Sequence, residues 1–324
     1  MIVTLTERAD VDAVRRALTG LGLWIESTER SERGPVHFVI GRGSTAVEPA
    51  EVARLSGVDR VSQAHSKRPR VDAHGPELSV TERVALGPGR PLLIAGPCAV
   101  ESEEQIARIA LKLAARGARV LRGGAFKPRT SPYDFQGLGS AALGWLRRAA
   151  DAAGLAVVSE VMSERDVDEV AAAADLLQIG SRNMQSFSLL KAVGRARKPV
   201  LLKRSMAATL DEWLHAGEYL LVHGAAGVAF CERGIRSFDP STRNLLDLGA
   251  VALLSGVHRL PVVVDPSHAA GRRDLIVPLA RAALAAGAHG LMIEVHDDPA
   301  CSESDGAQAL LPEGWAGDVA VEIA

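Results

Sequence analysis

The stretch LRGGAFKPRTSPYDFQGLG, residues 121 to 139, contains three cations, Arg122, Lys127 and Arg129, among glycines and prolines. No carboxylate lies between them, although the whole chain has 37 Lys and Arg residues against 39 Asp and Glu residues. The stretch is therefore not a sample of a generally basic protein. Gly123 and Gly124 would allow a ligand to approach the backbone closely. We predict that this stretch binds an anion, and the alternative is a solvated basic loop.

Four more cations lie at the ends of short apolar runs further along the chain: Arg182, Lys203, Arg204 and Arg233. Gathered at one site with the first three, they would repel one another unless anions lay between them. Guanidinium groups match the paired oxygens of phosphate and carboxylate, and lysine adds a mobile point charge. The number of cations predicts one multiply charged ligand or two anionic ligands, and a phosphorylated substrate fits this requirement.

A second group of residues carries the donor atoms of a metal site: Cys98, His268, Glu294 and Asp305. A thiolate, an imidazole and two carboxylates suit a divalent ion such as Mn, Fe, Co or Zn. Magnesium prefers oxygen ligands and does not recruit a thiolate. Each residue taken alone has a simpler interpretation, because a single cysteine after a strand is more often buried and inert. The metal prediction therefore requires a fold that brings the four together.

Eight short apolar runs, each followed by a helix-like segment or a loop, supply that fold. They are PLLIAGPC, RVLRGG, AVVSE, LLQIGSR, PVLLKR, GVAFCERG, PVVVDPSH and GLMIEVH. The alternation predicts an α/β protein with a (β/α)8 barrel, whose strand ends meet at one face. Each run is apolar at its start and polar at its end, so an enzyme active site is expected there. The alternative, a doubly wound sheet, lacks a Gly-rich dinucleotide motif after its first strand.

Residues 1–70 have a different pattern. Strand-like segments such as MIVTL and HFVI alternate with two helix-like segments, DVDAVRRALTGLG and EPAEVARLSGV. Their order, β-α-β-β-α-β, predicts a small ferredoxin-like domain. Residues 71–90 are polar and rich in proline and glycine, and we predict a linker there. The barrel is then expected over residues 91–324.

Composition excludes several classes of protein. A net charge of −2 argues against nucleic acid or an anionic membrane as a partner. No signal-peptide pattern is visible at the start, and no apolar run reaches the roughly 20 residues of a membrane helix. The three cysteines are too few and too widely spaced for a disulfide framework. These features predict a cytoplasmic protein.

Several motifs closely resemble a known enzyme family. They are AGPCAVES, RGGAFKPRTSPYDFQGLG, QIGSRNMQ, LLKR, CERGIR, VDPSHAAGRRD and EVHDDP followed by SDG. These motifs are similar to those of 3-deoxy-D-arabino-heptulosonate 7-phosphate (DAHP) synthases, and the small amino-terminal domain resembles that of the type I-beta branch. The resemblance implies condensation of phosphoenolpyruvate with erythrose 4-phosphate, with release of phosphate, at a divalent metal. This is the first step of the shikimate pathway, which leads to chorismate and the aromatic amino acids.

The resemblance also implies roles for individual residues. Cys98, His268, Glu294 and Asp305 match the metal ligands. The residues that match the phosphoenolpyruvate site are Arg122, Lys127, Arg182, Lys203 and Arg233. The loop that matches the erythrose 4-phosphate site contains Pro128, Arg129, Thr130 and Ser131. Lys127, Glu160 and His268 are the expected catalytic residues, with Lys127 as proton donor to the aldehyde oxygen and Glu160 handling the attacking water.

The resemblance further implies a homo-oligomer, a dimer or tetramer, with an aromatic amino acid as allosteric effector of the amino-terminal domain. One departure is visible: the family's barrel normally closes with a long helix, whereas the final segment GAQALLPEGWAGDVAVEIA is a poor helix former.

Three alternatives stay open at this point. The sister enzyme 3-deoxy-manno-octulosonate 8-phosphate synthase uses arabinose 5-phosphate and has Asn-Arg-Ser where KPRTS stands in this chain. Lys203 as a Schiff-base lysine would indicate an aldolase of another mechanistic class. A metabolite-binding regulator built on an inactive barrel is disfavoured, because no matched site residue is missing.

Overall fold

The computed structural model describes residues 1–30, 35–41, 44–45, 47–62, 66–127, 129 and 131–313. The chain divides into two compact units. One consists of Met1–Pro69 together with Gly256–His258, and the other of Arg70–Ser255 continuing from Arg259. In the described part of the chain, no helix combines the length and the apolar character needed to span a bilayer.

The first unit has the predicted order of elements. These are β1 (Ile2–Leu5), α1 (Val11–Gly20), β2 (Ile25–Arg30), β3 (Val36–Ile40), α2 (Pro49–Val52) and β4 (Val58–Ser62). The four strands form one antiparallel sheet in the order β2-β3-β1-β4. Helix α1 begins at the Asp10 carboxylate, which accepts hydrogen bonds from two backbone amides of the first turn. Alternating strand residues such as Val3 and Phe38 pack against Leu18 of this helix and form the core.

The second unit contains the predicted barrel. Its strands are β7 (Leu92–Gly96), β8 (Val120–Arg122), β9 (Ala156–Glu160), β10 (Leu176–Ile179), β11 (Pro199–Lys203), β12 (Gly227–Glu232), β13 (Val262–Val264) and β14 (Gly290–Glu294). All eight pair in parallel, and β14 pairs with β7 to close the barrel. The fold prediction is confirmed, and each strand lies within one of the eight apolar runs.

Helices pack around the outside of these strands. They are α4 (Glu103–Ala114), α5 (Ser140–Ala153), α6 (Val167–Ala173), α7 (Phe187–Arg195), α8 (Leu210–Val222), α9 (Leu248–Ala252), α10 (Pro266–Ala270) and α11 (Ile276–Ala285). One continuous apolar core lies between helices and strands, with the Trp213 side chain of α8 fully buried in it. This core holds the strand ends in fixed relative positions, as an active site at that face requires.

The stretch 71–90 differs from the predicted linker. It follows a short helix, α3 (Pro69–Asp72), and contains a β hairpin of β5 (Leu78–Thr81) and β6 (Val84–Leu86). The hairpin's apolar side chains belong to the same buried cluster as the inward-facing residues of the barrel. A Cβ on Gly227, the first residue of β12, would lie 2.4 Å from Leu78 Cδ1, so the hairpin covers the amino-terminal end of the barrel. The four alternating apolar residues among the polar ones were the signal for a strand pair.

After β14 the described chain has no further helix. A turn over residues 305–308 is followed by Leu310, whose backbone amide donates to the Glu294 carbonyl. The remainder of the poor helix former, residues 314–324, lies outside the described residues.

Candidate active site

A pocket at the carboxyl-terminal ends of the barrel strands collects most of the predicted site residues. Those that line it are Cys98, Arg122, Lys127, Arg129, Glu160, Arg182, Lys203, Arg233, His268 and Asp305. They come from different strands and the loops that follow them, so only closure of the barrel brings them together. The one remaining predicted metal ligand, Glu294, is buried at the end of β14.

The four predicted metal ligands converge. One donor atom from each of Cys98, His268, Glu294 and Asp305 lies within 4.8 Å of all the others. The Cys98 Sγ is 3.1 Å from Asp305 Oδ2, and His268 Nε2 is 3.5 Å from Glu294 Oε2. Asp305 adopts φ 57°, a left-handed conformation that non-glycine residues rarely take. Strained backbone conformations such as that of Asp305 are common at functional sites.

The His268 ring is oriented by a buried carboxylate. Asp265 Oδ2 lies 2.9 Å from His268 Nδ1 and also accepts a 2.6 Å hydrogen bond from Lys203 Nζ. Burial lowers the pKa of His268 to about 3, so the ring is neutral at physiological pH. With Nδ1–H donated to Asp265, the Nε2 lone pair faces Glu294 and Asp305. This is the arrangement that second-sphere carboxylates impose on metal-binding histidines.

The protonation of the other donors also fits a cation site. Burial raises the pKa of the Cys98 thiol and raises that of Glu294 to about 7. Burial acts in the same direction on Asp305, but His268, the Cys98 hydrogen bond and Arg243 hold its pKa well below the usual range. A divalent cation would displace the protons that burial retains on the thiol and on Glu294. The residues present therefore fit a divalent metal ion.

Lys127 lies beside these ligands. Its Nζ donates to Cys98 Sγ at 2.9 Å and to the Cys98 carbonyl at 2.8 Å. Burial disfavours the ammonium, but the charges of Cys98 and Glu160 outweigh it and raise the pKa of Lys127. A Cβ on Gly124 would lie 2.6 Å from the Cys98 carbonyl and 2.9 Å from Lys127 Cδ. Glycine at 124 therefore makes room for the protein's own site residues, whereas the sequence predicted room for a ligand.

Two buried guanidinium groups supply unpaired donors. Arg122 Nη1 and Arg233 Nη1 have no hydrogen-bond partner among the described residues. A buried charged donor without a partner is costly, and an anion in the pocket would remove this cost. Glu160, on the same wall, accepts a 3.2 Å hydrogen bond from Gln178 Nε2.

Arg204 does not belong to the pocket. Its Nη1 forms ion pairs with Glu232 at 3.1 Å and with Asp247 at 2.8 Å. Lys203 and Arg204 are consecutive at the end of β11, and successive strand side chains point to opposite sides. Lys203 therefore enters the barrel mouth, whereas Arg204 is neutralised by carboxylates outside it.

The KPRTS loop is described in part. Arg129 lines the pocket and donates from Nε to the Phe135 carbonyl and from Nη2 to the Glu303 carbonyl, both at 3.0 Å. Ser131 is not among the pocket residues, and its hydroxyl accepts from the Tyr133 amide at 3.2 Å. The predicted site residues Pro128 and Thr130 lie outside the described residues.

Two residues that contact the predicted metal ligands escaped the sequence prediction. Arg243, from the loop between β12 and α9, lies 3.1 Å from Asp305 Oδ1. Gln308 Nε2 donates to Glu294 Oε2 at 2.9 Å. Neither follows a strand, so the pattern that marked the other site residues contained no signal for them.

Comparisons with known proteins found similar chains. The chain is 51% identical over 227 residues to phospho-2-dehydro-3-deoxyheptonate aldolase of Thermotoga maritima, covering 70% of this chain and 67% of that protein. A crystal structure of phospho-2-dehydro-3-deoxyheptonate aldolase (DAHP synthase) from Thermotoga maritima superposes with a TM-score of 0.75 at 40% identity, covering 99% of this chain and 94% of that one. A 2-dehydro-3-deoxyphosphooctonate aldolase of Nitrosococcus oceani is more distant, at 32% identity over 67% of this chain and 83% of that protein.

The family assignment rests on the same part of the chain as the barrel. Residues 71–320 match the DAHP synthetase I family. That range contains the hairpin, all eight barrel strands and the four converging donors. The chain therefore belongs to the DAHP synthetase I family.

Proposed function

We propose that this chain condenses phosphoenolpyruvate with erythrose 4-phosphate to form DAHP and phosphate. The observation that carries the proposal is one pocket that joins the Cys98–His268–Glu294–Asp305 cluster to the unpaired guanidinium nitrogens of Arg122 and Arg233. In the reaction, C3 of phosphoenolpyruvate bonds to the aldehyde carbon, and the aldehyde oxygen gains a proton. Water adds to C2, and the bond from C2 to the phosphate oxygen breaks.

The anionic groups of phosphoenolpyruvate are bound by Arg122, Arg182, Lys203 and Arg233. The Arg122 and Arg233 donors support this assignment because they are buried and unpaired within the described residues. Lys203 reaches the same pocket as an ammonium fixed by Asp265 at 2.6 Å. Held in place before substrate arrives, these charges need little reorganisation as negative charge moves to the departing phosphate.

A divalent ion, Mn, Fe, Co or Zn, would be held by Cys98, His268, Glu294 and Asp305. When bound, it supplies Lewis-acid polarisation of an oxygen such as that of the aldehyde. The neutral imidazole of His268 and the low pKa of Asp305 support this ligand set.

Proton transfers are assigned to two side chains. Lys127 remains charged because its pKa is raised, and it donates the proton that the aldehyde oxygen receives. Glu160, which also lines the pocket, orients the water that adds to C2. Arg129 binds the erythrose phosphate with the KPRTS loop of Pro128, Thr130 and Ser131.

The two other reaction classes have less support. A Schiff base requires a lysine nitrogen that is free to attack a carbonyl, whereas Lys203 Nζ is held 2.6 Å from the buried Asp265 carboxylate. The octulosonate alternative has less support because the 2-dehydro-3-deoxyphosphooctonate aldolase relative is only 32% identical, whereas the 51% identical relative is a phospho-2-dehydro-3-deoxyheptonate aldolase.

The decisive test compares turnover of phosphoenolpyruvate with erythrose 4-phosphate and with arabinose 5-phosphate, using Mn²⁺ after removal of metal by a chelator. We expect phosphate release with the four-carbon sugar and loss of activity in excess EDTA. Arg129→Ala should raise the KM for erythrose 4-phosphate much more than that for phosphoenolpyruvate. The increase should correspond to the loss of about 1.5–3 kcal/mol of binding free energy for the sugar phosphate. A preference for arabinose 5-phosphate would refute the substrate assignment.

Residues 1–70 are assigned to regulation, as an allosteric domain that binds an aromatic amino acid. The whole protein is assigned as a cytoplasmic homo-oligomer, either a dimer or a tetramer. The regulatory assignment is supported by a self-contained hydrophobic core within Met1–Pro69. A chain starting at Arg70, which keeps the hairpin, should retain turnover and lose inhibition by tyrosine or phenylalanine. Indifference of the full-length enzyme to both amino acids would refute this role.

A further inference from the structure

A second pocket lies at the opposite end of the barrel from the active site. Arg83 stands in the turn between β5 and β6, Arg90 precedes β7, and Arg119 precedes β8. Arg116, just after α4, completes a set of four arginines around it. Strands β7 and β8 run from this pocket towards Cys98 and Arg122, so the two pockets are at opposite ends of the same strands.

The charge of this pocket is unbalanced. No carboxylate is among the described residues that line it. In the part of the chain that the structure describes, the four guanidinium groups form no hydrogen bond or ion pair at short range. Arg116 helps to lower the pKa of Glu313, but that carboxylate pairs with Lys112 Nζ at 2.8 Å. Elsewhere on the barrel surface, arginines such as Arg108 and Arg148 have a carboxylate within 2.7 Å.

The walls between these cations are partly apolar and rigid. The buried side chains of Val84, Leu92 and Leu93 line the pocket, and Pro91 lies between two of the elements. Because Val84 and Leu92 belong to the buried cluster of the barrel interior, the backbone that carries Arg83 and Arg90 is well anchored. Arg83, Arg90 and Arg119 are exposed, but all four arginines border one concave pocket on an anchored backbone, whereas the side chains of a solvated basic loop share no pocket.

We propose that this pocket binds a phosphate group, either inorganic phosphate or the phosphate of a small ester. Guanidinium groups match phosphate oxygens through paired N–H donors, and four arginines line this one pocket. A dianion would offset the repulsion among four like charges, none of which has a carboxylate among the described residues that line the pocket. The site is independent of the condensation reaction and of its metal.

The test counts bound phosphate. Equilibrium dialysis with radiolabelled inorganic phosphate in 0.15 M NaCl would be applied to the holoenzyme and to the Arg83→Gln/Arg119→Gln variant. The matched control, Arg165→Gln/Arg195→Gln, removes two exposed surface arginines elsewhere on the barrel. Because none of the substituted arginines, in either the variant or the control, belongs to the active site, unchanged kcat values would show that both proteins fold.

We expect the holoenzyme and the control to bind one more phosphate per chain than the Arg83→Gln/Arg119→Gln variant does. The affinity of that extra site should fall about tenfold or more in the variant, as loss of charge-assisted contacts implies. Equal phosphate counts in variant and control would overturn the proposal. A difference that also appears for chloride, titrated in place of phosphate, would likewise overturn it, because it would indicate only a general positive potential.

Discussion

Asp265→Asn is predicted to damage stability and metal binding together, because this one buried carboxylate serves two partners. It accepts from Lys203 Nζ at 2.6 Å and contacts His268 Nδ1 at 2.9 Å. An asparagine has one acceptor oxygen and one NH2 donor. In Asp265, Oδ2 serves both of these groups and Oδ1 accepts from the His268 backbone amide at 3.0 Å. Whichever way the asparagine turns, its NH2 group therefore faces other donors, either the Lys203 ammonium with the His268 ring N–H or the His268 backbone amide.

The magnitude follows from what the substitution leaves behind. A buried ammonium without its carboxylate costs about 3–5 kcal/mol of unfolding free energy. When a metal-binding histidine loses its orienting carboxylate, metal affinity falls by about 10- to 100-fold.

The control is Asp247→Asn. Asp247 also pairs with a buried cation, Arg204, but it is partly exposed and Glu232 remains as a second partner. We expect this control to cost about 1 kcal/mol or less.

The assay is urea unfolding of the metal-free proteins, followed by circular dichroism, together with titration of Co²⁺ by its thiolate absorption band. The double variant Asp265→Asn/Lys203→Met should recover stability, because no lone charge stays buried, but it should not recover activity. If Asp265→Asn unfolds within about 1 kcal/mol of the Asp247→Asn control, the reasoning about the buried ammonium is wrong. Unchanged Co²⁺ affinity would refute the positioning role towards His268.

Three further predictions concern other parts of the barrel. A thiol reagent at pH 8 should label the exposed Cys301 first and should reach Cys231 only on unfolding, because burial raises the pKa of Cys231 to about 12; rapid labelling of Cys231 in the native protein would contradict this. Burial lowers the pKa of His289 below 6.5, and its Nδ1 accepts from the first amide of β13 at 3.1 Å. His289 therefore takes up a proton more readily in the unfolded chain than in the folded one, so its contribution to stability is complete above pH 6.5 and is lost as pH falls. His289→Gln should accordingly reduce the drop in Tm between pH 7.5 and pH 5.5, and an equal drop in the variant and the unsubstituted protein would contradict this prediction. Glu101 accepts from the Glu303 amide at 3.0 Å in the loop that carries Asp305. Glu101→Ala should thus weaken metal binding about tenfold while kcat recovers at saturating metal, and failure of that recovery would indicate a different role.

Much of the barrel could be predicted from local pattern. Each apolar run is a buried parallel strand, and burial on both faces requires an almost continuous apolar sequence. The polar residue at the end of each run marks the point where a strand leaves the core. Because parallel barrel strands end at one face, the chain order alone was enough to gather Cys98, His268 and Glu294 at a common mouth. The order of elements in residues 1–70 was likewise visible in the alternation of strand and helix periods.

Tertiary structure decided which of these polar groups face the pocket and what the intervening segments do. Lys203 and Arg204 look equivalent in sequence, but the direction of each side chain depends on strand register around the closed barrel, and only Lys203 lies in the mouth. The segment 71–90 reads as a polar linker, yet its few apolar residues find partners in the barrel interior that are distant in sequence. Arg243 reaches Asp305 across a gap of 62 residues, from a loop with no periodicity. Local residue patterns record the period of an element, whereas contacts between loops depend on how the whole sheet closes.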